Sequence, residues 1–248
     1  MVCQKTGVKK TSEFRPTWNH TDLDRNDAKS QLSRPQLSKD LTMEEALLRR
    51  PMADSLYLNL WFPDFDTEEI FAHALGVMRQ FPFSQQLPGI TNIALYPLSW
   101  NEATILEQRF RPGVAPEEAV AVAASMLHED YAYVFEANWD LWTAQAPNNE
   151  WTLQQSLVRF IVRGKEFGDG ESQTQGEVQV DFGIDTPFLH EELQLTPEVE
   201  TRVRANVQML VDFTNRVEKN SGTNARLLWS ESDENFAHKL VDRLQKVQ

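Results

Sequence analysis

Residues 131–140 alternate between bulky apolar and polar side chains, and this alternation constrains the fold more strongly than any other feature of the sequence. The apolar positions are Tyr131, Tyr133, Phe135, Ala137 and Trp139. The polar residues Glu136 and Asn138 lie between the last three of these, and Asp140 follows Trp139. A period of two residues predicts a β-strand with one buried and one polar face. Strands of this kind are typical of antiparallel sheets that are covered on one side.

Other segments have the same two-residue period, and the segments between them have apolar residues at helical spacing. The further strand segments are 56–62, 90–100, 104–110, 157–163, 178–184 and 226–229. The helical segments are 66–81, 115–127, 196–217 and 232–244. This mixture predicts an α+β protein in which helices cover an antiparallel sheet or sheets.

The order of the elements suggests a more specific arrangement. Up to residue 145 the order is strand, helix, strand, strand, helix, strand, which is the order of the ferredoxin-like, or split βαβ, arrangement. The remaining elements are strand, strand, helix, strand and helix, which after a cyclic shift resemble a second unit of the same kind. We therefore expect a ferredoxin-like first half and either a duplicated or an extended α+β sandwich.

The first 51 residues differ from the rest of the chain. They are polar, carry scattered charges and have neither a strand nor a helical period, so we expect a disordered or weakly ordered tail. A second interpretation is that this segment lies upstream of a natural start at Met52. Residues 52–248 are expected to form a single α+β body, whose halves would be 52–145 and 146–248, because no linker interrupts the pattern near residue 150.

Charge and cysteine content limit the partners and the compartment. Residues 1–50 have ten basic and seven acidic residues, a net charge of +3, whereas residues 51–248 have fourteen and thirty, a net charge of −16. An acidic body repels phosphate groups, so we expect neither a nucleic acid nor a membrane as a partner. The single cysteine, Cys3, excludes an internal disulfide, and a cytoplasmic location is the simplest expectation.

One candidate for chemistry is a cluster of carboxylates around a histidine. The chain has no nucleophile elbow, P-loop, dinucleotide-binding glycine motif or HExxH motif. Asp181 and Asp185 at the end of a strand, followed by His190 and Glu191, have the residue types of a catalytic or metal-binding site. Against this, a strand rises by about 3.3 Å per residue, so two aspartates four residues apart are separated by about 13 Å unless Gly183 bends the chain.

Arg159 and Arg163 favour a structural role for the same aspartates. Both arginines are on the polar face of the neighbouring predicted strand, where they would meet Asp181 and Asp185 across a simple hairpin. Opposite charges on paired strands stabilise a sheet by about 0.2–1 kcal/mol. We favour this pairing over a ligand-binding role for the arginines, and we predict no metal and no cofactor.

Aromatic residues supply the second candidate site. Six tryptophans fall on or beside predicted strands: Trp61, Trp100, Trp139, Trp142, Trp151 and Trp229. Trp139 and Trp142 are three residues apart on one strand, so they must point to opposite faces. Tyr57, Trp61, Trp142 and Trp151 are expected to line an exposed sheet face or cleft, and the alternative is that they fill the core.

Three function hypotheses follow. The first is a non-catalytic binding or interaction domain that presents an aromatic-rich sheet face or groove to a protein or a small ligand. The second is a hydrolase or transferase that uses carboxylates and His190. The third is an acidic regulatory protein that masks a basic partner. Because no complete catalytic motif is present, we favour the first hypothesis, and the oligomeric state stays open.

Overall fold

The computed structural model describes residues 53–63, 65–145, 150–190, 196–231, 236, 239 and 240. The predicted N-terminal tail, the predicted loop at 146–149 and the candidate Glu191 lie outside these residues. No helix among the described residues has the length and apolar character needed to cross a membrane.

Seven strands form one sheet in which every neighbouring pair is antiparallel. The strands are β1 (Ser55–Trp61), β2 (Ile90–Pro97), β3 (Leu106–Arg109), β4 (Tyr131–Gln145), β5 (Glu150–Arg163), β6 (Val178–Ile184) and β7 (Ala225–Ser230). Their order across the sheet is β3, β2, β4, β5, β6, β1, β7. The α+β class and the antiparallel sheet are therefore as predicted.

Five α-helices are described between these strands. They are α1 (Ile70–Met78), α2 (Pro116–Ala124), α3 (Ser172–Gln175), α4 (Thr186–Leu189) and α5 (Pro197–Asn220). Helix α5 begins at Thr196, whose side chain accepts a hydrogen bond from the Val199 amide, and Pro197 occupies the first turn, where its missing N–H costs nothing. Helices α1, α2 and α5 pack over one side of the sheet, and α1 contacts both of the others.

The core lies between this side of the sheet and the three long helices. The alternating residues Leu56, Leu58 and Leu60 of β1 are completely buried there. A group of buried rings fills the centre of the layer: Phe81, Trp139, Phe160, Phe182 and Phe213, whose centroids are 5.2–5.9 Å apart in the contacting pairs. Burial of large apolar side chains is the main driving force for folding, so this layer accounts for most of the stability.

No long helix of the described part of the chain lies on the opposite side of the sheet, and we call this side the open face. Its residues are those that alternate with the core-facing ones, for example Tyr57 and Asn59 of β1, Val134 and Glu136 of β4, and Ile161 of β5. Asn59 and Val134 are buried even on this face. The alternation seen in the sequence therefore separates the covered side from the open face.

The ferredoxin-like arrangement is not confirmed, although the elements of the first half follow one another in the predicted order. In that arrangement β1 would pair with other strands of the first half. Here β1 pairs with β6 and β7, and β4, β5 and β6 lie between β1 and β2. The order of elements along the chain does not determine which strands pair, because pairing depends on which strand edges meet in the complete sheet. Duplication is not confirmed either, since strands from both halves are mixed in one sheet.

Strands β4 and β5 form the longest hairpin, with paired residues from Ala132–Arg163 to Gln145–Glu150. Strand β2 pairs with β4 only as far as Ala137, and beyond that point no strand of the described residues pairs with the outer edge of β4. Ser84 and Asn206 occupy this edge instead. The Ser84 amide donates to the Asn138 carbonyl at 2.7 Å, and the Asn206 side chain bonds the backbone of Trp142.

Residues 164–177 form a segment that covers one end of the open face, and we call it the cap segment. The segment contains a 3-10 turn at Phe167–Asp169 and helix α3. Phe167 is completely buried beneath it. Gly176 has a φ of +85°, and a Cβ there would be 2.9 Å from the Leu60 amide nitrogen, so only glycine fits this close approach.

Candidate functional site

One row of paired residues crosses all seven strands on the open face. From β3 to β7 the row is Arg109, Asn92, Glu136, Arg159, Asp181, Tyr57 and Trp229. Neighbouring strands are about 4.8 Å apart, so the row spans about 29 Å. It changes along its length from charged and amide side chains to two aromatic rings.

The neighbouring row on the same face has a different character. From β3 to β7 it is Glu107, Ala94, Val134, Ile161, Gln179, Asn59 and Leu227. Its centre, Ala94 to Ile161, is apolar and forms a floor beside the polar row. The open face therefore offers an apolar strip with polar and aromatic groups along its edge.

Two cavities lie on this face. The larger, about 590 Å³, is lined by residues of both rows on β2 to β5, together with Tyr96 and Trp100. The smaller, about 370 Å³, lies over β5, β6, β1 and β7, with Tyr57 and Trp229 among its lining residues. Trp100 and Ile161 line both cavities. The two cavities are thus neighbouring parts of one groove that meet at these two side chains.

Trp100 is held in place by its surroundings although its side chain is partly exposed. Its indole Nε1 donates to Glu171 Oε2 at 2.9 Å, and its ring contacts Phe167 edge-on with centroids 4.8 Å apart. The guanidinium of Arg163 is 5.7 Å from the centre of the same ring. The loop that carries Trp100 begins at Leu98, a non-glycine residue with a φ of +58°. Such strained positions are found at binding sites, because the surrounding structure must hold them.

Arg163 forms a buried polar network beneath Trp100. Its side chain donates to Gln179 Oε1 at 2.8 Å, to Glu171 Oε2 at 3.3 Å and to the Gly176 carbonyl at 3.4 Å. Gln179 in turn donates to Asn59 Oδ1 at 2.8 Å. Burial lowers the pKa of Arg163, and the Glu171 carboxylate opposes this shift. The predicted pairing of Arg163 with Asp185 is wrong, because its recorded polar contacts are with the cap segment and with Gln179.

Arg159, in contrast, makes the predicted pairing. Its side chain is 3.1 Å from the Glu136 carboxylate and 3.5 Å from Asp181 Oδ2, the residues opposite it on β4 and β6. The other Asp181 oxygen accepts from the Gly183 amide at 2.8 Å. Asp181 thus has a structural partner for each of its oxygens.

Tyr57 and Trp229 form the aromatic wall of the smaller cavity. Their rings are stacked with centroids 4.9 Å apart. Burial raises the pKa of the Tyr57 hydroxyl, and the carboxylates of Asp181 and Glu231 raise it further, whereas a hydrogen bond with Ser55 and the charge of Arg159 lower it. The direction of the carboxylate effects indicates a negative potential at the hydroxyl.

Two polar atoms of lining residues are buried and have no hydrogen-bond partner among the described residues. They are Asn92 Oδ1, at the larger cavity, and Trp229 Nε1, at the smaller one. An unsatisfied buried donor or acceptor costs about 1–3 kcal/mol, and a bound ligand is one means of satisfying it.

Of the predicted carboxylate and histidine site, Asp181 is on β6, whereas Asp185 and His190 flank the one-turn helix α4 and are both buried. The Asp185 carboxylate accepts from the Asp54 amide at 3.3 Å, at the start of β1. The His190 ring contacts Trp151, with centroids 4.7 Å apart. Glu191 lies outside the described residues, and in the described part of the chain no three His, Cys, Asp or Glu side chains are grouped as metal ligands.

The four aromatic residues predicted as one surface lie in two places. Tyr57 and Trp61 are on the open face, where Trp61 Nε1 donates to the Gln173 carbonyl of the cap segment at 3.2 Å. Trp142 and Trp151 line neither of the two cavities and instead contact Arg202 of α5, whose guanidinium is 5.3 and 5.9 Å from the two ring centres. As predicted, Trp139 and Trp142 differ in burial, since Trp139 is completely buried.

Several lining residues were not singled out from the sequence, among them Asn92, Tyr96, Trp100, Trp229 and Glu231. Trp229 and Trp100 were recognised only as strand-associated tryptophans. Strand register identifies Asn92 and Trp229 once the pairing of β2 with β4 and of β7 with β1 is known, whereas Trp100 lies in the loop after β2 and has no register.

Comparison with known proteins adds no assignment. No protein-family model, no curated protein and no solved structure matches this chain.

Proposed function

We propose that this protein is a non-catalytic binding protein that holds a small polar molecule on the open face of its sheet. The observation that carries the proposal is the groove made by the two cavities that meet at Trp100 and Ile161. Cavities of about 300–1,000 Å³ with apolar surfaces and a few fixed polar groups are typical of small-molecule sites.

The arrangement of polar groups supports a small molecule rather than a flat protein interface. Arg159 bridges Glu136 and Asp181 within the polar row, and the buried network of Arg163 fixes the wall beneath Trp100. Groups that are fixed before binding lower the entropy cost of holding a ligand. Asn92 Oδ1 and Trp229 Nε1 offer one acceptor and one donor that the described residues leave unpaired.

The hydrolase or transferase hypothesis has less support. A general base must be within hydrogen-bond reach of the group from which it takes a proton. The Asp181 carboxylate forms an ion pair with Arg159 and accepts a hydrogen bond from the Gly183 amide. The His190 ring packs against the ring of Trp151. These contacts favour structural roles for both residues.

A thermal-shift screen of the full chain tests the proposal. The panel contains organic amines, carboxylates, nucleosides and sugars, and a ligand of the folded state raises the melting temperature by mass action. We expect at least one class to raise it, and we expect Trp100→Ala to remove this effect because Trp100 lines both cavities. Val211→Ala, a change at a partly exposed apolar residue of α5, is the control and should keep it. An effect that persists in Trp100→Ala, or a panel without any effect, contradicts the proposal.

A further inference from the structure

We propose that the smaller cavity binds an organic cation of the alkylammonium class through the rings of Tyr57, Trp229 and Trp100 and the carboxylates of Asp181 and Glu231. This inference rests on the proposed function and specifies its ligand. All five residues line the cavity.

The aromatic rings supply the first part of the recognition. A cation over the face of an aromatic ring, within about 6 Å of its centroid, is attracted by the ring quadrupole, most strongly by that of tryptophan. Tyr57 and Trp229 are stacked with centroids 4.9 Å apart, so each ring keeps one face that the other does not cover, and Trp100 also lines the cavity. Alkylammonium groups have apolar surfaces that pack on such rings while their charge is retained.

The balance of charges around the cavity favours a cation. Arg163, the basic residue of its lining, is already paired with Glu171 at 3.3 Å. Asp181 is paired with Arg159 at 3.5 Å. Glu231 accepts a hydrogen bond from the Ser55 amide at 3.5 Å, but no cationic side chain pairs with it in the described part of the chain. One negative charge of the lining is therefore left for a ligand.

The surrounding field has the same sign. The carboxylates of Asp181 and Glu231 disfavour the ionised form of Tyr57, which reports a negative potential at the hydroxyl that lines this cavity. Residues 51–248 carry a net charge of −16, so the body as a whole attracts cations and repels anions. Both observations oppose an anionic ligand at this position.

The Trp229 indole adds a selective feature. Its Nε1 is a buried donor without a partner among the described residues. A cation cannot accept this hydrogen bond, but an oxygen atom attached to the same ligand can. An amino alcohol or a hydroxylated quaternary ammonium compound would therefore fit better than a simple tetraalkylammonium ion.

A pair of isosteres isolates the charge. Choline and 3,3-dimethylbutan-1-ol have the same shape and the same hydroxyl, but only choline is a cation. We expect choline to bind the full chain, followed by tryptophan fluorescence and by calorimetry, at least about tenfold more tightly than the neutral alcohol. Tetramethylammonium should bind more weakly than choline because it lacks the oxygen acceptor.

Three variants locate the site. Glu231→Gln should weaken choline binding roughly fivefold or more, because it removes one charge without a large change in shape. Tyr57→Leu should weaken it to a similar extent, whereas Tyr57→Phe, which keeps the ring, should change it little. Glu107→Gln removes a carboxylate from the larger cavity and tests whether the cation binds there instead. Glu118→Gln, at an exposed position of α2, is the matched control and should leave choline binding unchanged.

The outcomes separate this inference from the proposed function. Equal binding of choline and the neutral alcohol, or no binding of choline at all, overturns the cation inference. If another class from the thermal-shift panel then binds and loses its effect in Trp100→Ala, the open face still binds a ligand, but not a cation. If no class does so, both proposals fail. Loss of choline binding in Glu107→Gln but not in Glu231→Gln would place the cation in the larger cavity and would also overturn the inference.

Discussion

The side-chain amide of Asn206 takes the place of a neighbouring strand for Trp142. Asn206 Oδ1 accepts from the Trp142 amide at 2.9 Å, and its Nδ2 donates to the Trp142 carbonyl at 2.8 Å. The same Nδ2 also donates to the Pro187 carbonyl at 2.8 Å, in α4. One buried side chain thus joins α5, α4 and the unpaired edge of β4, where the sheet no longer has a neighbouring strand.

Asn206→Ala should therefore destabilise the protein by about 2–4 kcal/mol, because it leaves buried backbone groups of Trp142 and Pro187 without partners. The measurement is the free energy of unfolding in urea. Gln208→Ala, two residues further along α5 at an exposed position, is the control and should change this free energy by less than about 0.5 kcal/mol. Equal effects of the two changes would show that the Asn206 amide does not support the edge of β4.

Replacement of the buried Arg163 should be much more costly than replacement of an exposed arginine. Arg163 is only 3% exposed and bonds Glu171, Gln179 and the Gly176 carbonyl. Removing one partner of a buried pair costs about 3–5 kcal/mol, so we expect a loss of this size for Arg163→Met in urea unfolding. Arg163→Lys should recover only part of it, because a single ammonium cannot reproduce the planar fork of donors.

Arg159→Gln tests the opposite expectation at an arginine on the same strand face, with Ile161 between it and Arg163. Its side chain is 44% exposed, although it bridges Glu136 and Asp181. Water screens such pairs, so the free energy of unfolding should fall by less than about 1 kcal/mol. A loss as large as that of Arg163→Met would mean that the row of charges on the open face is a major source of stability.

Tyr133 should make stability depend on pH in the alkaline range. Its hydroxyl donates to the Met126 carbonyl at 2.9 Å and accepts from the His128 amide at 2.9 Å. Burial is the main cause that raises the pKa of Tyr133 to about 12. The unfolded chain loses this proton near pH 10, whereas the folded protein keeps it until about pH 12, so the stabilisation present below pH 10 is lost as the pH rises.

The comparison of wild type with Tyr133→Phe isolates this group, because the other titrating residues are common to both proteins. Between pH 9 and pH 11 the wild type should lose about 1–1.5 kcal/mol more of its free energy of unfolding than the variant. Parallel losses in the two proteins would show that Tyr133 has an ordinary pKa.

The secondary structure was largely predictable, because period and burial are local properties of the chain. The alternation in β1, β4 and β6 and the helical spacing in α1 and α5 all correspond to described elements. The pairing of β1 with β6 and β7 was not predictable, since many strands with one apolar face can form the same kind of contact. Order along the chain therefore suggested a ferredoxin-like sheet that the pairing does not have.

The candidate site was predictable only in part for the same reason. Arg159 and Asp181 are on strands joined closely in sequence, and their pairing followed from simple hairpin geometry. Tyr57 and Trp229 come together across strands that are far apart in the chain, so nothing local could indicate their stacking. The sequence predicted Trp142 and Trp151 on the same surface as Tyr57 and Trp61. It gives no sign that Arg202 of α5 lies over the rings of Trp142 and Trp151.

The most direct test of binding on the open face uses the indole N–H signals of the seven tryptophans in a ¹H–¹⁵N spectrum. The full chain is titrated with the compound that gives the largest thermal shift, and the signals are assigned by single Trp→Phe variants. Our account predicts shifts of the Trp100 and Trp229 signals, whereas Trp139, between the sheet and the helices, stays unchanged. Shifts confined to Trp139, Trp142 and Trp151 would place the ligand on the helix side and contradict the account.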